Sequence, residues 1–141
     1  MPKFRPLKKE DISELSDLLT QLSSKKIELT DKHVSLLIED ANHHPIAIEF
    51  EGKLVGFGLL VIYVTTMNGH VGIIEDIIVD ESQRGKGLGK KLLQNLIEIA
   101  KKQNANRISL TSNPQRVIAR KLYQSLGFEP KDTGVFILRL K

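Results

Sequence analysis

A basic, glycine-rich stretch, Arg84-Gly85-Lys86-Gly87-Leu88-Gly89, has the residue types that suit the binding of an anion. It follows an apolar run ending at Val79 and precedes an amphipathic helix that begins near Leu88. The first N–H groups of a helix lack partners within the helix, and the helix dipole adds positive charge there. Glycines let the backbone approach a phosphate closely. The stretch therefore predicts a phosphate cradle, with Lys90 adding positive charge.

Two familiar phosphate motifs do not fit this stretch. A P-loop ends in Gly-Lys-Ser/Thr, whereas Gly89-Lys90 is followed by Lys91, and Arg84 occupies the early glycine position. A dinucleotide-binding Gly-x-Gly-x-x-Gly motif needs a glycine where Lys90 stands. The strand before the stretch is also not the first of a βαβ series. The sequence therefore predicts an anion site of another kind.

A carboxylate lies inside the apolar run that leads to this loop. Glu75 sits between Ile73 and Ile77, where partial burial would raise its pKa toward neutrality. Such a group can act as a general base, or it can be a structural carboxylate paired with Lys or Arg. Asp76 is expected on the opposite face of the strand and is the lesser candidate.

Hydrophobic periodicity places these residues in a mixed α/β sheet with an antiparallel middle and one crossover. Asn113-Pro114 is expected to open the last helix and Gly127 to close it. The predicted strands cover residues 4–7, 46–50, 54–64, 71–79, 107–111 and 135–140. The predicted helices cover residues 11–22, a segment capped by Thr30 or Asp31, 88–102, and the segment from Asn113 to Gly127. A length of 141 residues predicts a single domain, 1–141.

Three motifs, in order along nearly the whole chain, resemble the GNAT superfamily of N-acetyltransferases. Arg84, Gly87 and Gly89 match its Gln/Arg-x-x-Gly-x-Gly/Ala pyrophosphate loop. The preceding segment 74–80 resembles the family's splayed fourth strand. The resemblance implies a mixed, mostly antiparallel sheet with helices on both faces and a splayed central strand pair. Ala119-x-x-Leu122-Tyr123-x-x-Leu126-Gly127-Phe128 resembles its final helix and the strand after it.

The resemblance implies direct transfer of an acetyl group from acetyl-CoA, as co-substrate, to a primary amine, with a small molecule as the expected acceptor. Glu75 is then the candidate base. Tyr123 is the candidate acid for the CoA thiolate, and its alternative is a core aromatic on an amphipathic helix. The residues implied to bind acetyl-CoA are Ile77, Ile78, Val79, Arg84, Gly85, Lys86, Gly87, Leu88, Gly89, Lys90, Asn113 and Arg116.

One position departs from the common family pattern. Many members carry Asn three residues before the position of Ala119, where this chain has Arg116. Asn113 could contact the pantetheine arm and Arg116 a CoA phosphate, although Asn113 could equally be a helix cap. Two alternatives therefore stay open, a CoA-binding regulatory or partner module without turnover, and a protein acetyltransferase for N-termini or lysines.

Composition limits the other classes of function. The chain has no Cys, which excludes disulfides, Cys-based zinc sites and a Cys nucleophile, and its four His show no metal-ligand spacing. The net charge of +4 permits nucleic-acid binding, but the aromatic content of 5% gives little for base stacking. No secretory signal or membrane-length apolar run is visible. These features predict a cytoplasmic protein with no metal, no nucleic-acid partner and no membrane partner. A homodimer is one possible assembly of the chain.

Overall fold

The computed structural model describes residues 1–141, which fall into two compact units, Met1–Leu110 and Thr111–Lys141. The first unit contains the whole sheet and three α-helices, and the second contains the fourth α-helix. That residues 1–141 form one domain stays a prediction. None of the helices combines the length and the apolar character that a membrane crossing requires.

The first unit is built on a five-stranded sheet whose strands are neighbours in sequence order. All pairs are antiparallel except the last, which is parallel and is connected by a helix. The strands are β1 (Lys3–Pro6), β2 (His43–Phe50), β3 (Lys53–Thr65), β4 (Gly69–Val79) and β5 (Ile108–Ser109). The helices are α1 (Ile12–Thr20), α2 (Asp31–Glu39), α3 (Leu88–Lys102) and, in the second unit, α4 (Val117–Ser125). The predicted mixed sheet and its single crossover are confirmed.

The central strand β3 is buried on both of its faces. Phe57 and Leu59 belong to a core cluster with Leu15 of α1 and Val34 of α2. On the other face, a Cβ added to Gly58 would lie 3.1 Å from a methyl group of Leu96 in α3. Helices therefore cover both faces, which explains why β3 is a continuous apolar run rather than an alternating one.

The pairing of β4 and β5 is short, so the two strands separate. Only Gly72 and Ile73 of β4 have partners in β5. Strand β3 nevertheless continues to pair with β4 as far as Val79, opposite Gly56. From residue 74 to residue 79, β4 therefore has an open edge. This is the splayed strand pair that the family resemblance implied.

Two predicted elements differ from the structure. Residues 135–140 form no strand, because an extended segment needs a neighbouring strand to take its backbone hydrogen bonds and none pairs with it. The last helix begins at Val117 rather than at Asn113. The side chain of Asn113 accepts a hydrogen bond from the N–H of Gln115 at 2.9 Å, so residues 113–116 form a turn that delays the helix.

A buried ion network fixes the N-terminal strand to the segment that leads into α1. The carboxylate of Asp11 accepts hydrogen bonds from Nη1 and Nη2 of Arg5, at 2.8 and 2.9 Å, and from the N–H of Lys8 at 2.8 Å. Nε of Arg5 donates to Glu49 in β2 at 2.9 Å. Burial alone would raise the pKa of Asp11, but the hydrogen bonds from Arg5 and Lys8 outweigh it and hold that pKa below its ordinary value.

Candidate active site at the open edge of β4

A β-bulge interrupts β4 at its open edge. Ile78 pairs with Phe57 and Glu75 pairs with Leu59, so Asp76 and Ile77 both lie opposite the single residue Gly58. Asp76 adopts a left-handed backbone conformation with φ of 55°. A Cβ on Gly58 would lie 2.8 Å from Cδ1 of Ile77, so the absence of a side chain there makes room for the extra residue.

The bulge changes which backbone N–H groups reach the open edge. Before it, the N–H of Gly72 donates toward β5, to the carbonyl of Arg107 at 2.9 Å. After it, the N–H of Asp80 donates toward β3, to the carbonyl of Val55 at 2.8 Å. Because N–H groups alternate in direction along a strand, those of Ile77 and Val79 point to the open edge, whereas that of Ile78 faces β3.

Two consecutive carboxylates lie at the bulge. Glu75 and Asp76 are both exposed, whereas strict alternation had predicted opposite faces, and neither forms an ion pair. The pKa of Glu75 is raised by partial desolvation and by the charge of Asp76. Desolvation also raises the pKa of Asp76, and His33 partly offsets this. A raised pKa is what a general base at this position would need, and the Glu75 carboxylate has no Lys or Arg partner in the structure.

The first turn of α2 approaches the bulge. Val34 is fully buried in the core cluster that also contains Leu59 and Ile78. Its neighbour His33 is the group whose charge acts on Asp76. His33 itself is exposed, and no motif in the sequence could have linked it to β4.

The glycine-rich loop has the backbone that an anion cradle needs. Gly85 and Gly87 have left-handed φ values of 80° and 79°. Gly87 is the N-cap of α3, with no side-chain cap and no acidic residue in the first turn. The earliest helical hydrogen bond from this loop is that of the Lys91 N–H to the carbonyl of Gly87. The N–H groups of residues 88–90 are therefore without helical partners.

Side chains hold the loop to its surroundings. Nε of Arg84 donates to the carbonyl of Val79 at 3.1 Å, which connects the loop to the open edge of β4. Nζ of Lys86 donates to Gln83 at 3.0 Å, and Lys90 is exposed. Leu88 is buried, so it can offer only its backbone N–H to a ligand.

A bridge that the sequence did not predict joins α1 to the end of β4. Nε2 of Gln21 donates to Asp80 at 2.7 Å, and Oε1 of Gln21 accepts from the N–H of Glu81 at 3.2 Å. Hydrogen bonds from Ser82 and Gln21 lower the pKa of Asp80. The segment after α1 is thus tied to the strand that carries Glu75.

The second unit contains the remaining predicted residues. Tyr123 is buried in α4 and its ring meets that of Phe128 edge to face, with ring centroids 6.2 Å apart. Gly127, with φ of 99°, ends the helix, and the N–H of Phe128 returns to the carbonyl of Tyr123 at 3.0 Å. The predicted stop at Gly127 is confirmed. The binding roles of Asn113 and Arg116 and the acid role of Tyr123 stay predictions.

Comparison with known proteins establishes the family. The model of the acetyltransferase (GNAT) family matches residues 11–128, and the chain therefore belongs to that family. A glucosamine 6-phosphate N-acetyltransferase of Trypanosoma brucei brucei is 30% identical over 137 residues, covering 89% of this chain and 88% of that protein. A crystal structure of a Trypanosoma brucei acetyltransferase is 27% identical, with a TM-score of 0.85, and the match covers 99% of this chain and 100% of that one.

Two other relatives match this chain over only part of their own length. The spermine/spermidine N(1)-acetyltransferase of Bacillus subtilis (strain 168) is 35% identical over 101 residues, which cover 65% of this chain but only 66% of that protein. A probable glucosamine 6-phosphate N-acetyltransferase 2 of Oryza sativa subsp. japonica is 34% identical over 111 residues, and only 61% of it is covered. The chain thus spans less than two thirds of these relatives.

Proposed function

We propose that the chain is an N-acetyltransferase that moves an acetyl group from acetyl-CoA directly to the primary amine of a small molecule. The observation that carries this proposal is the bulge in β4, which sets two outward N–H groups beside an unpaired carboxylate of raised pKa. The absence of Cys in the chain is compatible with transfer that forms no acyl-enzyme.

The donor side of the proposal rests on the loop that begins at Arg84. Free N–H groups of Leu88, Gly89 and Lys90 and the positive end of the α3 dipole favour a pyrophosphate, and no acidic residue opposes it. The side chains of Arg84, Lys86 and Lys90 add positive charge. Gly85 and Gly87 supply left-handed backbone conformations that other residues adopt at a cost. In the second unit, Asn113 and Arg116 would complete the contacts to acetyl-CoA.

The proposed chemistry needs three groups. The N–H groups of Ile77 and Val79 stabilise the negative charge that develops on the thioester oxygen. Glu75, directly or through a water, accepts the proton that the ammonium group of the acceptor must lose before its nitrogen attacks. As the C–N bond forms and the C–S bond breaks, Tyr123 donates a proton to the sulfur, and the second proton lost by the amine nitrogen returns to Tyr123 through solvent.

The nature of the acceptor is the finer part of the proposal. Relatives named for spermine or spermidine and for glucosamine 6-phosphate support a small molecule, since both names denote small amines. A protein acceptor is the second candidate, because a putative ribosomal-protein-alanine N-acetyltransferase of Bacillus subtilis (strain 168) is 28% identical over 95 residues. A CoA-binding module without turnover is the third candidate, because Arg116 departs from the common family motif at that position.

One assay separates these candidates. The full chain is incubated with acetyl-CoA and, separately, spermidine, glucosamine 6-phosphate or peptides with free N-termini and lysines, and released CoA thiol is measured with a disulfide reagent. Because the chain has no Cys, the protein adds no thiol background. We expect release with a small amine. Release with peptides alone would favour the protein acetyltransferase. Calorimetric binding of acetyl-CoA without release for any amine would favour the module without turnover.

The proposal also includes a homodimer and a cytoplasmic location, with no nucleic-acid or membrane partner. Absence of binding to DNA, RNA and lipid vesicles at low salt is the expected outcome, since electrostatic binding would be strongest there.

A further inference from the structure

The turn between β4 and the glycine-rich loop, residues 80–83, is attached to the rest of the protein at few points. The N–H of Asp80 donates to the carbonyl of Val55 in β3 at 2.8 Å, and the N–H of Gln83 returns to the carbonyl of Asp80 at 2.9 Å, within the turn itself. Apart from contacts with the loop that follows, the remaining hydrogen bonds to the turn come from the side chain of Gln21 in the first part of the chain. The position of the turn therefore depends on that side chain.

The side-chain amide of Gln21 matches two groups of the turn at once. Its Nε2 donates to the carboxylate of Asp80 at 2.7 Å, and its Oε1 accepts from the N–H of Glu81 at 3.2 Å. An amide offers a donor and an acceptor side by side. A carboxylate at position 21 could form only the second bond and would repel Asp80, whereas an ammonium group could form only the first. The bridge therefore requires an amide.

Gln21 is held by a helix that is packed into the core. It is the C-cap of α1, and its N–H donates to the carbonyl of Leu18 at 3.1 Å. Leu15 and Leu18 are buried in the core cluster that also contains Ile78 of β4. Because close-packed side chains leave little room for displacement, core packing fixes the place from which the amide reaches the turn.

The turn connects the two parts of the proposed donor site. Val79, whose N–H points to the open edge of β4, immediately precedes it, and Arg84, the first residue of the glycine-rich loop, immediately follows it. Nε of Arg84 also returns to the carbonyl of Val79 at 3.1 Å, so the two parts are coupled. A misplacement of about 1 Å caused far from the reacting atoms can cost about 10²-fold in rate. A shift of the turn would therefore disturb both parts together.

We propose that Gln21 is a positioning residue of the donor site, which holds the turn 80–83 against α1. It touches no reacting atom. It fixes the N–H of Val79 for the thioester oxygen and the start of the glycine-rich loop for the pyrophosphate. Gln21 lies outside the three motifs that carry the family resemblance. The inference rests on the proposed function, because acetyl-CoA is the ligand whose contacts the turn sets.

The test exchanges the donor and the acceptor of the bridge and measures acetyl-CoA affinity by calorimetry. Gln21→Glu loses the charge-assisted bond and sets two carboxylates face to face, so affinity should fall at least tenfold. Gln21→Glu combined with Asp80→Asn restores a donor opposite an acceptor and should recover affinity to within about threefold of the natural chain. Gln94→Glu makes the same charge change at an exposed position on α3 and should leave affinity unchanged.

Kinetics and stability separate positioning from general damage. With the amine that gives CoA release, kcat of Gln21→Glu should fall at least tenfold while the KM for the amine stays within about threefold, because the turn serves the donor side. Urea unfolding checks that each variant is folded. Gln21→Ala, which removes the bridge without repulsion, should weaken acetyl-CoA binding at least threefold, and it replaces Gln21→Glu if that variant unfolds.

The outcomes distinguish this inference from the proposed function. If acetyl-CoA affinity is unchanged in Gln21→Glu, or if the double variant stays as weak as the single one, the positioning role is overturned and the proposed function stands. If the natural chain binds acetyl-CoA but releases CoA with no amine, turnover is overturned, and loss and recovery of affinity in the variants still support the positioning role. A natural chain that does not bind acetyl-CoA overturns both.

Discussion

At the scale of single residues, the surroundings of Glu75 differ from those of an ordinary surface carboxylate. It lies at a bulge with no cation paired to it, and its pKa is raised by partial desolvation and by the negative charge of Asp76. Both effects favour its protonated form, so it must lose its proton at a higher pH than an isolated Glu before it can act as a base.

We therefore predict that Glu75→Gln lowers kcat by about 10²–10⁴, the usual contribution of a general base. In the natural enzyme, kcat/KM should rise as the pH passes through the raised pKa of Glu75. The variant should not show this rise. Steady-state kinetics over a pH series measures both. Glu98→Gln, at an exposed position on α3, is the control and should keep the profile. A Glu75→Gln variant with an unchanged pH profile would remove Glu75 from the mechanism.

Gly87 offers a second test at this scale. Val strongly disfavours the left-handed conformation that Gly87 adopts, so Gly87→Val should distort the loop and weaken acetyl-CoA binding at least tenfold by calorimetry. Gly52→Val is the matched control, because Gly52 has nearly the same φ, 77° against 79°, and neither position has an atom within 4 Å of an added Cβ. The control should lose similar stability and keep its affinity. Equal loss of affinity in both variants would contradict a specific role for the loop.

The sequence predicted the chemical types of the site residues better than it predicted which way their side chains point. Loop glycines and a mid-strand carboxylate are visible from residue type and spacing. The outward direction of both Glu75 and Asp76 was not, because it depends on an extra residue in β4 that is accommodated opposite Gly58. The hydrogen bonds of Gln21 with Asp80 and Glu81, and the charge of His33 near Asp76, leave no periodic signal in the sequence.

At the scale of elements, the bulge depends on a glycine in the neighbouring strand. A methyl group at position 58 would crowd Ile77, Leu96 and Leu92, at 2.8, 3.1 and 3.3 Å. Gly58→Ala should therefore cost about 1–3 kcal/mol of the free energy of unfolding and should lower kcat, because Ile77 moves. Gly134→Ala, where an added Cβ meets nothing within 4 Å, is the control in urea unfolding and kinetics. A stable and fully active Gly58→Ala would show that the bulge tolerates a side chain there.

The ion network of β1 gives a prediction for stability and pH. Asp11→Asn leaves the buried guanidinium of Arg5 without its main partner and should cost roughly 3 kcal/mol. Because the folded pKa of Asp11 is depressed, its contribution is present above the ordinary Asp pKa and is lost as pH falls through the folded pKa. Urea unfolding at neutral and at acid pH should show the difference between natural protein and variant shrinking in acid. Glu28→Gln, in an exposed pair with Lys26, should change stability by less than about 0.5 kcal/mol. If the difference in free energy of unfolding between the natural protein and Asp11→Asn does not change with pH, the charged carboxylate of Asp11 does not stabilise the fold in this way.

The helices were predictable because each carries a periodic apolar pattern, and the central strands because they are apolar runs bounded by turn residues. Residues 88–102 and the stop at Gly127 match the structure. The strand at 135–140 was wrong, since strand formation depends on a neighbour as well as on composition. The start of α4 was also wrong, because the local turn at Asn113 competes with a helix cap.

At the scale of the whole molecule, the proposed residues are divided between the two units. If Asn113, Arg116 and Tyr123 act on acetyl-CoA, hydrogen exchange should slow in residues 113–123 as well as in residues 84–90 when the ligand binds. Adenosine alone, which lacks the pyrophosphate, is the control and should protect neither segment. Protection confined to Met1–Leu110 would place the whole donor site in the first unit.

The order of strands in the sheet also bears on how quickly the chain folds. Strands β2, β3 and β4 follow one another through tight turns, so their contacts join residues close in sequence and cost little loop-closure entropy. The parallel pair of Gly72 with Ile108 instead closes a long loop that contains all of α3. The three-stranded hairpin unit should therefore form in the folding transition state, while β5 docks afterwards. The splayed edge, and strand β1, whose pair of Lys3 with Glu49 closes a loop containing α1 and α2, then form after the hairpins and open before them.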